Sequence, residues 1–260
     1  MRFTAIISTA IFSAAIFAAP QPRFRQRSNL SANAADANEQ TDDWAGAVVK
    51  SPPPDEGGFV AVIGTFTVPS AMEDDDTPSA VSIWVGIDGY TNNIPVVQAG
   101  VDAILDSDGD VTYRAWAEWN PNPAIYLDDS ELEIVAGDSI QVHIATKAGD
   151  TSATALFTNL SNGNPATVPL STSDASQAAL GQNMEWMVER IHGGPDAPPT
   201  AALMNFGTIT MTNCYGSTAA RAGSVNPPQG VGVDMLNSEG GVAATAAING
   251  NTVTVTWQTA

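Results

Sequence analysis

From Trp44 to Trp257 the chain returns repeatedly to a two-residue period, and no stretch sustains a helical one. Thr252, Thr254 and Thr256 interleave with Val253, Val255 and Trp257, and Thr208, Thr210 and Thr212 interleave with Ile209 and Met211. Ile140, Val142 and Ile144 alternate with Gln141 and His143. Such alternation puts one set of side chains on each face of a strand. The same reading predicts strands at Phe59 to Val68 (ended by Pro69), Val81 to Ile87, Val96 to Val101, Val111 to Trp119 and Ala153 to Leu160, and another where Leu132 and Ile134 alternate with Glu131 and Glu133. Turn chemistry punctuates the runs: Asp106 to Asp110, Ala136-Gly137-Asp138, Asn162-Gly163-Asn164 and Asn249-Gly250-Asn251. Asn-Gly and Asp-Gly pairs adopt the positive φ that tight hairpins need. One weak helical turn is expected near Asp174 to Leu180. Many strands without intervening helices predict an all-β antiparallel sandwich or barrel.

The N-terminus reads differently. Arg2 precedes an apolar run from Ile6 to Ala19, the pattern of a secretory signal peptide, so residues 1–19 are expected to be a leader and the protein to be secreted and extracellular. Residues 20–42 carry Arg23, Arg25 and Arg27 and then a polar stretch without periodicity, which reads as a pro-segment and linker. The remaining residues, 43–260, have no internal linker and are expected to fold as one domain and act as a monomer. The whole chain has 28 acidic and 9 basic residues, a net charge of −19. Loss of residues 1–27 would remove four of the basic residues and none of the acidic ones. A surface so acidic has no basic patch for phosphates, so nucleic acid is excluded as a partner. No membrane association is expected once the leader is gone. Its self-repulsion falls as carboxylates protonate, which predicts a protein that works in acid, with adaptation to high salt as the competing explanation of the same charge.

The common hydrolase motifs are absent: no G-x-S-x-G, no H-E-x-x-H and no P-loop. With only His143 and His192, a histidine metal site is unavailable, and neither a metal nor a cofactor is expected. Asp106 to Asp110 resembles the start of a calcium loop but is read as a hairpin turn. The acidic run Glu73 to Asp76 is read as a solvated loop, and the Pro/Gly-rich His192 to Thr200 as a loop edging a site. Asn29 and Asn159 head glycosylation sequons. The single cysteine, Cys214, is read as a buried apolar residue.

What remains is a set of faces. If each segment is extended, Trp84, Gly86 and Asp88 share one side, as do Arg114, Trp116 and Glu118. Glu185, Met187 and Glu189 share another, and Gln98 lies with Val96 and Gly100. Tryptophans beside carboxylates and an amide suit a groove for an extended polymer. Three functions fit: a peptidase, a glycoside hydrolase using Glu185 and Glu118, and a non-catalytic sandwich whose tryptophans stack on a ligand.

At these residues the chain resembles the eqolisins, the glutamic peptidases. The resemblance lies in Asp43 to Val48, Gly64 to Pro69, Trp84 to Gly89, Gln98 to Val101, Ala115 to Trp119, Ala136 to Asp138, Met184 to Glu189 and Phe206 to Ile209, in order and spacing across residues 43–260. It implies a concanavalin-like sandwich of two many-stranded antiparallel sheets, made as a secreted preproprotein, and an endopeptidase active on protein substrates in acid. It places the catalytic pair on Gln98 and Glu185, and site-lining residues on Trp44, Trp84, Asp88, Trp116 and Glu118. Two positions depart from the family: Arg114 replaces an aspartate and Asn120 a tyrosine. In such a pair the carboxylate of Glu185 takes a proton from water and passes it to the leaving amine, while the Gln98 amide orients that water and holds the oxyanion.

Overall fold

The computed structural model describes residues 38–72, 78–91, 96–191 and 201–258. The expected signal peptide, the expected pro-segment up to residue 37 with Asn29, and the loops expected at Glu73 to Asp76 and at His192 to Thr200 lie outside the described residues. In chain order the strands are β1 (Glu39–Thr41), β2 (Trp44–Val49), β3 (Phe59–Thr67), β4 (Ser79–Ile87), β5 (Val97–Leu105), β6 (Val111–Trp119), β7 (Ile125–Tyr126) and β8 (Ser139–Ala145). They continue with β9 (Ser152–Asn159), β10 (Asn164–Ser171), β11 (Met184–Glu189), β12 (Ala202–Leu203), β13 (Thr208–Thr218), β14 (Val231–Leu236), β15 (Val242–Asn249) and β16 (Thr252–Trp257). Two single 3-10 turns, Ala175–Gln177 and Pro227–Gln229, are the helical pieces among the described residues.

The strands form one antiparallel ladder in the order β10-β9-β8-β3-β13-β16-β15-β14-β2-β11-β4-β5-β6-β7, with β1 and β12 added in parallel to β14 and β4. The ladder folds back on itself. β3 packs over β4 and β11, β8 over β4 and β5, and β10 over β6. The two layers of the expected sandwich are therefore joined by hydrogen bonds through β16, β15 and β14. A register shift between Met235 and Leu236 falls at this corner, where bulges let strands bend from one layer to the other.

The core lies between the layers. β9 alternates exposed and buried residues, as a strand with one wet face should. β2, β4, β5 and β11 are buried along their whole lengths. Their core face carries Ala45, Ala47, Ile83, Val85, Ala99, Val101, Trp186 and Val188. The two core tryptophans satisfy their indole N–H groups: Trp186 donates to the Ile63 carbonyl at 2.8 Å and Trp119 to that of Gln177 at 3.0 Å. Their opposite face carries a second cluster, Trp44, Val48, Trp84, Trp116 and Met187, packed with Tyr90, Ala124 and Val233.

The structure differs from the sequence reading in three places. Leu132 and Ile134 are buried, at 3% and 6% exposure, yet their segment is no strand. It lies irregularly on the core, its backbone held by Asp128 and Asp138. Residues 39–41, assigned to the pro-segment, form β1 and belong to the sandwich. Asn38 beside them donates to Asp234 Oδ1 and the Ala246 carbonyl, each at 2.7 Å, and Glu39 accepts from Lys50 and from the Tyr90 hydroxyl. Asn159 is a structural residue: its amide donates to the Glu133 carbonyl at 3.1 Å and Asp138 Oδ2 at 2.8 Å, and it is fully buried. A glycan on that nitrogen would take the place of one of its two hydrogens and so break at least one of these bonds. Asn159→Ala should lower stability by about 1–3 kcal/mol, because buried polar partners are left unmatched. Urea denaturation measures this, and an unchanged midpoint would contradict the assignment.

Candidate active site

Strand register assembles the site. β11 pairs with β4, β4 with β5, and β5 with β6, so Glu185 stands opposite Gly86, Gly86 opposite Gln98, and Gln98 opposite Glu118. These residues make one row across four strands, on the face turned away from the apolar core. Two residues along comes a row of Met187, Trp84, Gly100 and Trp116, and beyond it Glu189, Ser82, Asp102 and Arg114. Strands lie about 4.8 Å apart, so the Cα atoms of Glu185 and Gln98 are about 10 Å apart with Gly86 between them. The pair therefore approaches from the two flanks of one glycine on a single sheet face.

Gly86 makes the arrangement feasible. A Cβ there would stand 2.8 Å from Cζ3 of Trp84 and 3.2 Å from Oε2 of Glu185. The Glu185 carboxylate thus leans over the glycine, toward Gln98, in space that any side chain would fill. On the other flank Gln98 Nε2 donates to Glu118 Oε2 at 2.6 Å. This bond fixes the amide plane and uses one of the two hydrogens on that nitrogen. Gln98 Oε1 and Trp84 Nε1 are buried polar atoms without a hydrogen-bond partner among the described residues. Such atoms are rare in folded proteins and are expected where a ligand or reacting group will bind.

The tryptophans predicted to line the site gather around this row. Trp84 meets Trp44 edge-on, with centroids 5.7 Å apart and planes at 82°. Trp44 in turn lies 6.2 Å from Tyr90. Trp116 Nε1 donates to Ser82 Oγ at 3.2 Å. Glu185 and Gln98 are each 1% exposed and Glu118 is fully buried, so the row lies in a low-dielectric setting. Charge–dipole interactions are stronger there than in water.

Asp88 is the exception among the predicted lining residues. It follows β4 with φ 68°, and both its carboxylate oxygens are taken by backbone. Oδ2 accepts from the N–H groups of Leu180 and Gly181 at 2.7 and 2.9 Å, and Oδ1 from that of Gln182 at 2.6 Å. Burial pushes its carboxyl above the usual range, and these N–H groups pull it back. Asp88 anchors the chain just before β11, and so helps set where Glu185 falls. Gly181 in that segment has φ 66°, and a Cβ on it would meet the Phe59 backbone at 2.5 Å. His143 lies on β8 in the other layer, where burial lowers its pKa.

The residue that sequence reasoning left without a role is Gly86. Its signal was present: a glycine inside an otherwise apolar strand, flanked at two-residue spacing by Trp84 and Asp88, marks a close approach. Tyr90, which closes the aromatic cluster, had no comparable signal.

The fold is thus an all-β sandwich with Glu185 and Gln98 on one buried, tryptophan-lined face. The chain belongs to the Peptidase A4 family, whose model matches residues 42–257. It is 30% identical to Aspergillopepsin-2 of Aspergillus niger over 298 residues, covering 99% of this chain and 100% of that protein. It is 33% identical to Scytalidopepsin B of Scytalidium lignicola over 73% of each chain. Among solved structures, scytalido-glutamic peptidase with a peptide-based transition state analog superposes with a TM-score of 0.68 at 25% identity, covering 84% of this chain and 98% of that one. The expected family and the all-β sandwich are thereby shown, and with them a glutamic-type endopeptidase.

Two outcomes follow from the geometry. Gly86→Ala presses a methyl on the buried Trp84 ring and should cost about 1–3 kcal/mol by urea denaturation, while lowering peptide cleavage of the folded variant at least about tenfold, because reacting groups tolerate little misplacement. Wild-type activity in this variant would contradict the role given to the glycine. Asp88→Ala strands three backbone donors and should cost about 3 kcal/mol or more in the same denaturation assay.

Proposed function

We propose that the protein is a secreted endopeptidase that hydrolyses polypeptides in acid, with Glu185 as general base and then general acid and Gln98 as the oxyanion donor. The supporting observation is the Glu185–Gly86–Gln98 row, with the carboxylate leaning over the glycine and the amide held by Glu118. A water between the two groups gives its proton to Glu185 as it attacks the scissile carbonyl. The new C–O bond pushes the carbonyl electrons onto oxygen. The second N–H of Gln98 points at that charge, while Gln98 Oε1 accepts from the attacking water. As the C–N bond breaks, Glu185 returns the proton to the departing amine. Trp44, Trp84 and Trp116 wall the groove along an extended chain. Glu118 is a positioning residue for Gln98.

The acid optimum rests on the charge excess, and secretion rests on the leader. Residues 20–37 retain the role of a pro-segment, with a boundary placed before β1, since Asn38 to Thr41 are bonded into the sandwich. The solved relative that holds a peptide-based transition state analog supports a peptide as the substrate. The glycoside hydrolase reading has less support, since one Glu118 oxygen is engaged by Gln98.

Cleavage of a denatured protein at acid pH tests the assignment. Glu185→Gln should abolish it. Gln98→Ala should lower kcat about 10²–10³-fold, the cost of one oxyanion donor, with the fold intact by circular dichroism. Substantial turnover by Glu185→Gln would sink the proposal.

A further inference from the structure

The row farthest from the catalytic pair is the one the chemistry does not use. It runs Glu189, Ser82, Asp102 and Arg114 across β11, β4, β5 and β6. Arg114 shares its face with Trp116 and Glu118, and it is the only basic side chain on that face of these four strands. The other charged groups there are acidic: Glu118, Asp102, Glu185 and Glu189. The Arg114 guanidinium carbon lies 5.9 Å from the ring centroid of Tyr126. Tyr126 pairs opposite Trp116 and packs against the aromatic cluster of the groove. Arg114 is half-buried, in contrast to the closed catalytic row. It therefore forms a cationic corner where the groove meets solvent.

We infer that Arg114 is a specificity-determining residue that draws an aspartate or glutamate side chain of the substrate into the Tyr126 corner of the groove. The inference rests on the reading of this face as the substrate groove. Three physical points carry it. A guanidinium keeps its charge at any acid pH, whereas a lysine or histidine would serve less well as a planar donor to a carboxylate. The Tyr126 ring lies within cation–π range of the guanidinium carbon and helps hold the charge at this corner. The distance is also suitable. Arg114 is four residues along β6 from Glu118, about 13 Å, and its side chain spans part of that. An extended peptide rises about 3.3 Å per residue, so the carboxylate would sit roughly two to four residues from the scissile bond.

Three other charged groups bear on this corner. Asp102 stands directly opposite Arg114 in the β5–β6 ladder and competes for it. Asp128 lies close enough that Arg114 contributes to its lowered pKa, after the hydrogen bonds from Ser130 and Glu131. Glu189 lies two strands further from Arg114 than Asp102 does. A substrate carboxylate thus replaces, in a groove rich in acidic groups, a share of what Asp102 and Asp128 give Arg114. The preference should strengthen when Asp102 is neutralised.

The test is the cleavage profile of a denatured protein mixture at pH 4.5, followed by kinetics on a peptide pair differing only by Glu against Gln at the enriched position. The wild type should enrich Asp and Glu at one position two to four residues from the cut. Arg114→Gln should lose the enrichment and raise KM for the Glu peptide about tenfold, as for loss of one charge-assisted pair. Its kcat, and its KM for the Gln peptide, should stay as they are. Arg114→Lys should restore part of the preference, and Asp102→Asn should sharpen it. An Arg114→Gln profile that superposes on the wild type, or a uniform fall in kcat on both peptides, would overturn the inference. No cleavage by the wild type would contradict the peptidase reading itself, and the inference with it.

Discussion

The alignment of β11 against β4 is the constraint on which the rest of this structure depends. In the proposed mechanism Glu185 can act only if it falls opposite Gly86, the one position in β4 where its carboxylate can lean toward Gln98. Because side chains alternate, a slip of one residue would turn Glu185 into the apolar core and bring Trp186 into the groove. Several features hold the register. Trp186 fills the core and donates to the Ile63 carbonyl. Asp88, at the end of β4, grips the backbone that leads into β11. Asn183, one residue before β11, donates to the Lys50 carbonyl beyond the end of β2. The placement of Glu185 beside Gly86 is thus set by contacts that lie outside the proposed reacting pair.

The central strands bury both faces, and the two faces differ in chemistry. On the core face every indole N–H is matched, as with Trp119 and Trp186. On the groove face Trp84 Nε1 and Gln98 Oε1 are not, among the described residues. Unmatched buried polar atoms cost the fold free energy, about 1–3 kcal/mol each. That cost is offset by the hydrophobic core beneath and is compatible with a site that binds its ligand's polar groups. The acidic charge excess adds a second tension, self-repulsion near neutral pH, which acid relieves.

Much of this was legible from residue order. The alternation gave β3, β4, β6, β8, β9 and β16 close to their observed limits, most clearly where one face is wet, as in β8 and β9, but read β5 and β13 short, to Val101 and Thr212 where the strands run to Leu105 and Thr218. It missed β10, where Pro165 and Pro169 interrupt the pattern at the edge of the ladder. It also missed β14, whose apolar run is broken by Gly232 and Asp234, and β15, which is rich in alanine; together they form the corner between layers. Leu132 and Ile134 show the converse error: alternating burial arose from an irregular segment lying on the core. Strand register brings Gln98, Glu185, Trp44, Trp84, Trp116 and Glu118 to one sheet face. Asp88 took an anchoring role, because the turn after β4 redirects it away from the groove and toward backbone N–H groups. Which residues share a face follows from period two. Which strands are neighbours does not, since β11 and β4 are about a hundred residues apart in sequence and no local pattern encodes their pairing.

The central claim is that Gln98 binds the transition state in preference to the substrate. It is tested most directly by comparing the affinities of a peptide transition-state analogue and a matched ground-state peptide for the wild type and for Gln98→Ala. The account predicts that the variant loses about 10²–10³-fold in affinity for the analogue while its affinity for the peptide changes little. An equal loss for both ligands would show that Gln98 only binds substrate, and would contradict the account.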